Sequence, residues 1–143
     1  MAEICPVVNT ERILLSIDGS NFSEGAVREG IRIAKKCGSK LTVISVIETN
    51  PEFEALAPQY IEKQEKAARE NLEAVQARAK KEGIDCGYAV FDGEDTYKVV
   101  VSEAEKAKSS MIVMGRRGRT GLSRLVMGST TARVIGHAAC NVL

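Results

Sequence analysis

The chain has 143 residues, with 20 lysines and arginines against 19 aspartates and glutamates, and 44% of its residues are hydrophobic. This length suits a single domain with one core, and the predicted domain spans 1–143. A net charge of +1 excludes an overall field that would attract nucleic acid or an anionic membrane. The first twelve residues do not resemble a signal peptide, and no apolar run is long enough to cross a bilayer. We therefore expect a soluble, cytoplasmic protein.

Four cysteines occur singly along the chain, which contains only one histidine. The cysteines are Cys5, Cys37, Cys86 and Cys140. No CxxC pair is present, so a tetrahedral zinc site would be difficult to assemble. We expect no metal site, and we expect all four cysteines to be reduced thiols in small core or surface positions.

The first half of the chain contains two predicted strands separated by a helix. Residues 12–17 form a compact apolar run typical of a buried parallel strand, and residues 41–47 are rich in β-branched side chains. Between them, apolar positions recur at helical spacing up to Cys37, with Ser20 as the predicted N-cap. Residues 49–58 contain prolines and are predicted to form a loop.

The second half continues the alternation of helices and strands. A long helix is predicted from one apolar face, formed by Ile61, Ala68, Leu72, Val75 and Ala79. A short strand at 86–91, a turn at 92–93, a helix over 97–107 and a strand at 111–114 follow. The last helix is predicted over 129–137, and 141–143 begin a final strand. This alternation implies a parallel sheet with right-handed crossovers.

The segment 115–128 is unusual because it contains four glycines and four arginines. The glycines are Gly115, Gly118, Gly121 and Gly128. Glycine allows a loop to turn tightly or backbone N–H groups to close on a phosphate. Ser129 and Thr130 follow at the predicted start of a helix, where free N–H groups and the helix dipole favour an anion. The segment is either a phosphate cradle or a flexible lid.

The spacing Gly115-x2-Gly118-x9-Gly128-Ser129 resembles the nucleotide-binding signature of the universal stress protein family. The surrounding GRTGLSRL at 118–125 resembles that family's loop, and the resemblance extends from ILLSIDGS at 13–20 to HAACNVL at 137–143. It implies a doubly wound, Rossmann-like α/β fold of the adenine nucleotide alpha hydrolase type. That fold has a five-stranded parallel sheet in the order 3-2-1-4-5, with helices on both faces. Members that keep the signature bind ATP or a related adenine nucleotide.

The resemblance also implies roles for individual residues. The adenosine would contact Ile17 and Asp18, and the adenine would meet the backbone of Val46. The ribose would be bordered by Met114 and Gly115. The phosphates would be held by Gly118, Gly128, Ser129 and Thr130. Considered alone, Asp18 could instead be a helix-capping or structural carboxylate.

Arginines surround the proposed phosphates at positions 116, 117, 119 and 124. Family members often have smaller or neutral residues at the second and third loop positions. Arg116 and Arg119 are candidates to clamp a triphosphate through charge-assisted hydrogen bonds, or they are solvated side chains of a mobile loop.

The same residues argue against fast ATP-dependent catalysis. An ATPase or kinase needs an activated nucleophile and usually a metal site, whereas the segment has no histidine, no acidic pair and no Walker lysine. His137 is expected to be structural or exposed, and we predict no catalytic residue. The expected function is a stress-response or signalling module that binds ATP, ADP or AMP, with or without Mg²⁺. A slow ATPase or autophosphorylating enzyme is the alternative.

Other classes of nucleotide-related protein fit less well. A dinucleotide oxidoreductase would place its glycines directly after the first strand, where residues 18–23 are DGSNFS. A phosphoacceptor receiver could use Asp92, but it lacks the acidic pair after the first strand. A partner-binding module whose shape responds to bound nucleotide is the third class.

The final strand, beginning at Asn141, is predicted to form a homodimer interface. The resemblance implies that two copies pair these strands across a two-fold axis. An exposed strand edge carrying Val142 and Leu143 would otherwise be a site of uncontrolled association.

Overall fold

The computed structural model describes residues 10–19, 23–115 and 128–143, and its centre is a five-stranded sheet. The strands are β1 (Arg12–Ser16), β2 (Lys40–Glu48), β3 (Cys86–Gly93), β4 (Met111–Met114) and β5 (Asn141–Val142). They lie in the order β3-β2-β1-β4-β5, and every pair is parallel. The predicted strand order is confirmed.

Helices cover both faces of this sheet. They are α1 (Glu24–Cys37), α2 (Pro51–Leu56), α3 (Pro58–Lys81), α4 (Thr96–Lys106) and α5 (Ser129–His137). Alternate side chains of β1 enter two different cores, because successive residues of a strand point to opposite faces. Ile13 and Leu15 pack in a cluster with residues of α1 and α3, whereas Leu14 packs in a cluster with residues of α4 and α5. The doubly wound architecture follows from these two cores.

The helix α2 corrects the prediction of a loop at 49–58. The side chain of Asn50 caps it by accepting a hydrogen bond from the Phe53 N–H at 2.8 Å, and Pro51 occupies the first turn. An Asn-Pro pair is a recognised helix start, because the asparagine satisfies a free N–H and proline has none. None of the residues of α2 is buried, so no apolar periodicity indicated this helix.

Two predicted boundaries are also wrong. The helix α1 begins at Glu24 with Ser23 in the N-cap position, rather than Ser20, which lies outside the described residues. The strand β3 continues through Asp92 and Gly93, where a turn was predicted. These two residues stay extended because they pair with the last residues of the nine-residue strand β2.

The cysteines differ from one another in chemical state. Cys86 and Cys140 are free, whereas Cys37 is disulfide-bonded, so the expectation of a reduced thiol is wrong at Cys37. The spacing of single cysteines does not reveal which of them meet in the fold. Burial raises the pKa of the Cys86 thiol to about 11, with the negative charge of Asp85 adding to the effect.

Within the described ranges, no helix combines the length and apolar character needed to cross a bilayer.

Candidate functional site

The candidate site lies where the strand order reverses, between β1 and β4. The helices that follow β1 and β4, which are α1 and α5, pack on opposite faces of the sheet, and this arrangement opens a crevice beyond the carboxyl ends of the two strands. Ser16 pairs with Met114 in the parallel register. The segments that follow, at Ile17 and at Gly115, therefore leave the sheet side by side.

Ile17 extends the pairing of β1 with β2 by one residue. Its N–H donates to the Ile44 carbonyl at 3.0 Å, and its carbonyl accepts a hydrogen bond from the Ser45 hydroxyl at 2.8 Å. Its side chain is buried in the core cluster shared with α1 and α3. These contacts fix the backbone that leads to Asp18.

Asp18 is held at the sheet edge by the residue before α1. Its carboxylate accepts a hydrogen bond from the Ser23 hydroxyl at 2.8 Å, and its own N–H donates to the same hydroxyl oxygen at 3.2 Å. The structural role considered for Asp18 is therefore present, and it fixes the carboxylate at the mouth of the crevice. Sequence reasoning missed Ser23 as the partner of Asp18.

The turn after Asp18 requires glycine because of its backbone conformation, and it packs closely against α3. Gly19 has φ of +78°, a conformation that L side chains rarely adopt. A Cβ at this position would also lie 2.7 Å from the side-chain nitrogen of Asn71 on α3. Asn71 was not predicted to lie near the site, because only tertiary packing brings α3 to this turn.

Val46 and Met114 lie on either side of the end of β1. Ile44 and Met114 both pair with Ser16, so Val46 lies two residues farther along β2, level with position 18. Both side chains are half-buried and pack in the cluster shared with α4 and α5. The structure therefore brings these two predicted site residues to the same face and the same edge of the sheet.

The start of α5 is attached directly to the end of β4. The Thr131 hydroxyl donates a hydrogen bond to the Gly115 carbonyl at 2.7 Å, and Thr131 is buried. This hydrogen bond places Gly128, Ser129 and Thr130 next to the crevice. Thr131 is a third residue that sequence reasoning missed.

The N-terminus of α5 has neither a side-chain cap nor an acidic residue in its first turn. The N-cap is Gly128, with φ of −61° and ψ of 147°, which any residue can adopt. A glycine is therefore not needed for the backbone at this position, and its effect is to leave the helix without a side-chain cap. The first-turn N–H groups and the positive end of the helix dipole are suited to an anion. Ser129 is exposed and Thr130 is half-buried beside them.

Three predicted site residues, Arg116, Gly118 and Arg119, lie outside the described residues. His137 is described and lies at the opposite end of α5 from Gly128. Its ring contacts that of Tyr97 with the centroids 5.1 Å apart and the planes tilted by 43°, and its Nδ1 lies 2.7 Å from the Arg133 carbonyl oxygen. These contacts are those of an exposed structural residue. No group of three metal-ligating side chains occurs within 10–19, 23–115 and 128–143.

A family model described as the universal stress protein family matches residues 9–143. The chain belongs to the universal stress protein family. Among curated relatives, universal stress protein MJ0531 of Methanocaldococcus jannaschii is 33% identical over 138 residues, which cover 93% of this chain and 80% of that protein.

Solved universal stress proteins share the fold. The UspA protein of Lactobacillus plantarum has a TM-score of 0.85 at 21% identity, covering 96% of this chain and 98% of its own. A universal stress protein from Archaeoglobus fulgidus in complex with dAMP has a TM-score of 0.69 at 19% identity, covering 100% and 98%. A further universal stress protein structure, a complex with cAMP, has a TM-score of 0.67 at 22% identity, covering 94% of this chain and 95% of its own.

Proposed function

We propose that this universal stress protein binds an adenine nucleotide, with ATP as the principal ligand, in the crevice beyond β1 and β4. The observation that carries the proposal is the N-terminus of α5, which has no side-chain cap and is fixed to the end of β4 by the hydrogen bond from Thr131 to Gly115. In the cell the protein would act as a cytoplasmic stress-response or signalling module.

The phosphate end of the ligand would lie against Gly128, Ser129 and Thr130. The free N–H groups of the first turn and the two hydroxyls would donate hydrogen bonds to phosphate oxygens. A negative charge at a helix N-terminus gains roughly 0.3–1 kcal/mol at the surface and up to about 2 kcal/mol when partly buried. The terminus alone therefore gives weak binding. Gly118, Arg116 and Arg119 are proposed to supply further phosphate contacts.

The adenosine end would lie between Val46 and Met114, beside Ile17 and Asp18. Half-buried apolar side chains on one face suit a flat ring, and the fixed carboxylate of Asp18 can accept hydrogen bonds from ribose hydroxyls. The dAMP and cAMP complexes of universal stress proteins with this fold support an adenine base rather than another base.

The direct test is mass spectrometry of any small molecule released from freshly purified protein, combined with thermal melting. A ligand at 100 times its Kd adds about 2.7 kcal/mol, which for a domain of this size raises Tm by roughly 8 °C. We expect this rise with ATP, ADP or AMP and not with GTP. If no adenine nucleotide raises Tm, the proposal is refuted.

We further propose that the nucleotide is held rather than rapidly hydrolysed, with a slow ATPase as the alternative. The expected turnover is below about 1 s⁻¹, the low end for enzymes. Phosphate release can be measured in parallel on a variant that no longer binds nucleotide. Activity that persists in that variant comes from a contaminant, and activity of many turnovers per second that disappears with binding would establish an enzyme.

The proposed assembly is a homodimer formed through β5. This strand is at the edge of the sheet, paired only with β4 on its inner side within the described residues. Leu143 is 54% exposed beside it. An unpaired edge with an apolar neighbour is suited to an isologous two-fold contact.

A further inference from the structure

A second concave surface lies at the carboxyl ends of β2 and β3, at the same edge of the sheet as the crevice between β1 and β4 but lined by different residues. Its cavity has a volume of about 780 Å³ and is lined by residues 48–53 and Glu94. The Thr49 N–H donates to the Gly93 carbonyl at 2.9 Å, which joins the two strand ends beneath it. The cavity is therefore built from ordered strand ends and the start of α2.

The lining of this cavity is acidic, and none of its carboxylates is held in an ion pair by a described residue. Residues 41–62 contain four glutamates and no lysine or arginine. Glu48, Glu52 and Glu94 form no ion pair with any residue that the structure describes. The Glu48 carboxylate instead accepts a hydrogen bond from the Thr96 hydroxyl at 2.7 Å, which orients it at the rim. These exposed carboxylates are therefore available to a cationic group of a partner.

Neighbouring acids outnumber the neighbouring cation. The hydrogen bond to Asp95, at 3.0 Å, and more weakly the charge of Glu94 raise the pKa of Lys98, so this ammonium offsets only part of the negative charge. On β3, Asp92 shares a hydrogen bond with Glu65, which raises the pKa of Glu65, and burial and the charge of Asp92 raise it further. A rise of this kind is expected where two acids lie together without enough positive charge.

Exposed apolar side chains lie beside the cavity. Phe53, Leu56 and Tyr60 are 39%, 78% and 52% exposed, and they are three of the five large apolar residues that the described structure leaves exposed. The rings of Phe53 and Tyr60 meet edge to face at 5.7 Å. Because α2 buries none of its residues, this apolar face has no partner within the described residues.

We propose that this surface, formed by the acidic cavity and the apolar face of Phe53, Leu56 and Tyr60, docks a basic amphipathic segment of another protein. A lysine or arginine would enter the cavity between Glu52 and Glu94, and an adjacent bulky apolar side chain would cover Leu56. Charge complementarity selects this occupant. A second copy of the chain would bring its own glutamates against these glutamates, and like charges across an interface are costly.

The test uses a fluorescent 14-residue peptide with lysines and leucines on opposite faces of a helix, and a matched peptide with glutamate in place of each lysine. Fluorescence anisotropy is measured against the full chain. We expect binding of the lysine peptide alone. Glu52→Lys with Glu94→Lys, and separately Leu56→Ser, should each weaken it at least tenfold.

Two matched variants control for unspecific attraction. Glu105→Lys changes a charge near the C-terminal end of α4, whereas the cavity lies beside the start of that helix, and Ile135→Ser removes an exposed apolar side chain from α5. Both should bind the peptide as the unmodified chain does. Because the substituted side chains of α2 are not buried, melting temperature and nucleotide affinity should be unchanged in Leu56→Ser.

Several outcomes would overturn the proposal. These are no binding of the lysine peptide, equal binding of the glutamate peptide, or equal weakening by the control variants. Competition by spermine with no effect of Leu56→Ser would indicate a site for small cations. A dimer, detected by light scattering, that Leu56→Ser dissociates would indicate a second copy as the occupant. Nucleotide binding is scored separately, so neither proposal depends on the other.

Discussion

Thr131→Val is the sharpest test of the proposed nucleotide site. Valine keeps the shape of threonine but has no hydroxyl, so the Gly115 carbonyl loses the hydrogen bond at 2.7 Å that joins β4 to α5. Leaving a buried polar group unpaired costs about 1–3 kcal/mol. Gly115 is half-buried, which allows water to reach it, so we expect the lower end of that range. A loss of about 1 kcal/mol lowers Tm by roughly 3 °C.

The matched variant is Thr131→Ser, which keeps the hydroxyl and removes a buried methyl group. It should lose a similar amount of stability, about 0.8 kcal/mol, while retaining the link between Gly115 and α5. Comparison of the two variants therefore separates the effect of lost stability on ATP binding from the effect of losing the hydrogen bond that positions α5. We expect about tenfold weaker ATP binding in Thr131→Val, equivalent to about 1.4 kcal/mol, and nearly unchanged binding in Thr131→Ser.

Urea unfolding measures the loss of stability in each variant. Isothermal titration calorimetry with ATP at constant salt measures the change in ATP affinity. If both variants bind ATP as tightly as the unmodified chain, the hydrogen bond does not position the site. If both lose affinity equally, the effect is one of general destabilisation. Either result would contradict the proposed role of α5.

Three further predictions concern the phosphate contact, the acidic pair and the dimer. Gly128→Asp should weaken ATP binding tenfold or more by repulsion between its carboxylate and the phosphates; Gly128→Asn, which adds a side chain of the same size without charge, is the control, and equal affinity in both would exclude a phosphate at this position. The raised pKa of Glu65 means that its stabilising contribution is present below the unfolded value of 4.5 and is lost as pH rises through the folded value. Glu65→Gln should therefore raise Tm at pH 7 but not at pH 4, whereas Glu70→Gln should change neither; an unchanged Tm at pH 7 would count against the Asp92 contact. Light scattering should find a dimer at tens of micromolar that deletion of residues 141–143 dissociates, and a monomeric intact chain would disprove the interface.

Elements with a strong apolar pattern could be predicted from the sequence. The helix α3 was predicted from the helical spacing of its apolar residues. Each of the apolar positions named on that face, from Ile61 to Ala79, is buried in the structure. The helix α2 was missed because it buries nothing and depends on a local signal, the cap at Asn50. Burial produces periodicity, so an element on the surface leaves only its caps as evidence.

The glycines and hydroxyl residues proposed for the candidate site could be picked out from the sequence. The contacts that support them could not. Gly115 and Gly128 stand out because glycine-rich spacing is visible along the chain. The contacts from Ser23 to Asp18 and from Thr131 to Gly115 join segments that only the fold brings together. The disulfide state of Cys37 escaped prediction for the same reason.

The buried thiol of Cys86 has a practical consequence. Only the thiolate reacts with alkylating agents, and a pKa of about 11 leaves about one molecule in ten thousand in that form at pH 7. The carbonyl of Cys86 accepts a hydrogen bond from the Gln76 side chain at 2.8 Å, so the same residue attaches the edge strand β3 to α3. Detachment of β3 would expose the sulfur to solvent and return its acidity to the ordinary range. The rate of alkylation at Cys86 is therefore a built-in reporter of how often this edge of the sheet opens.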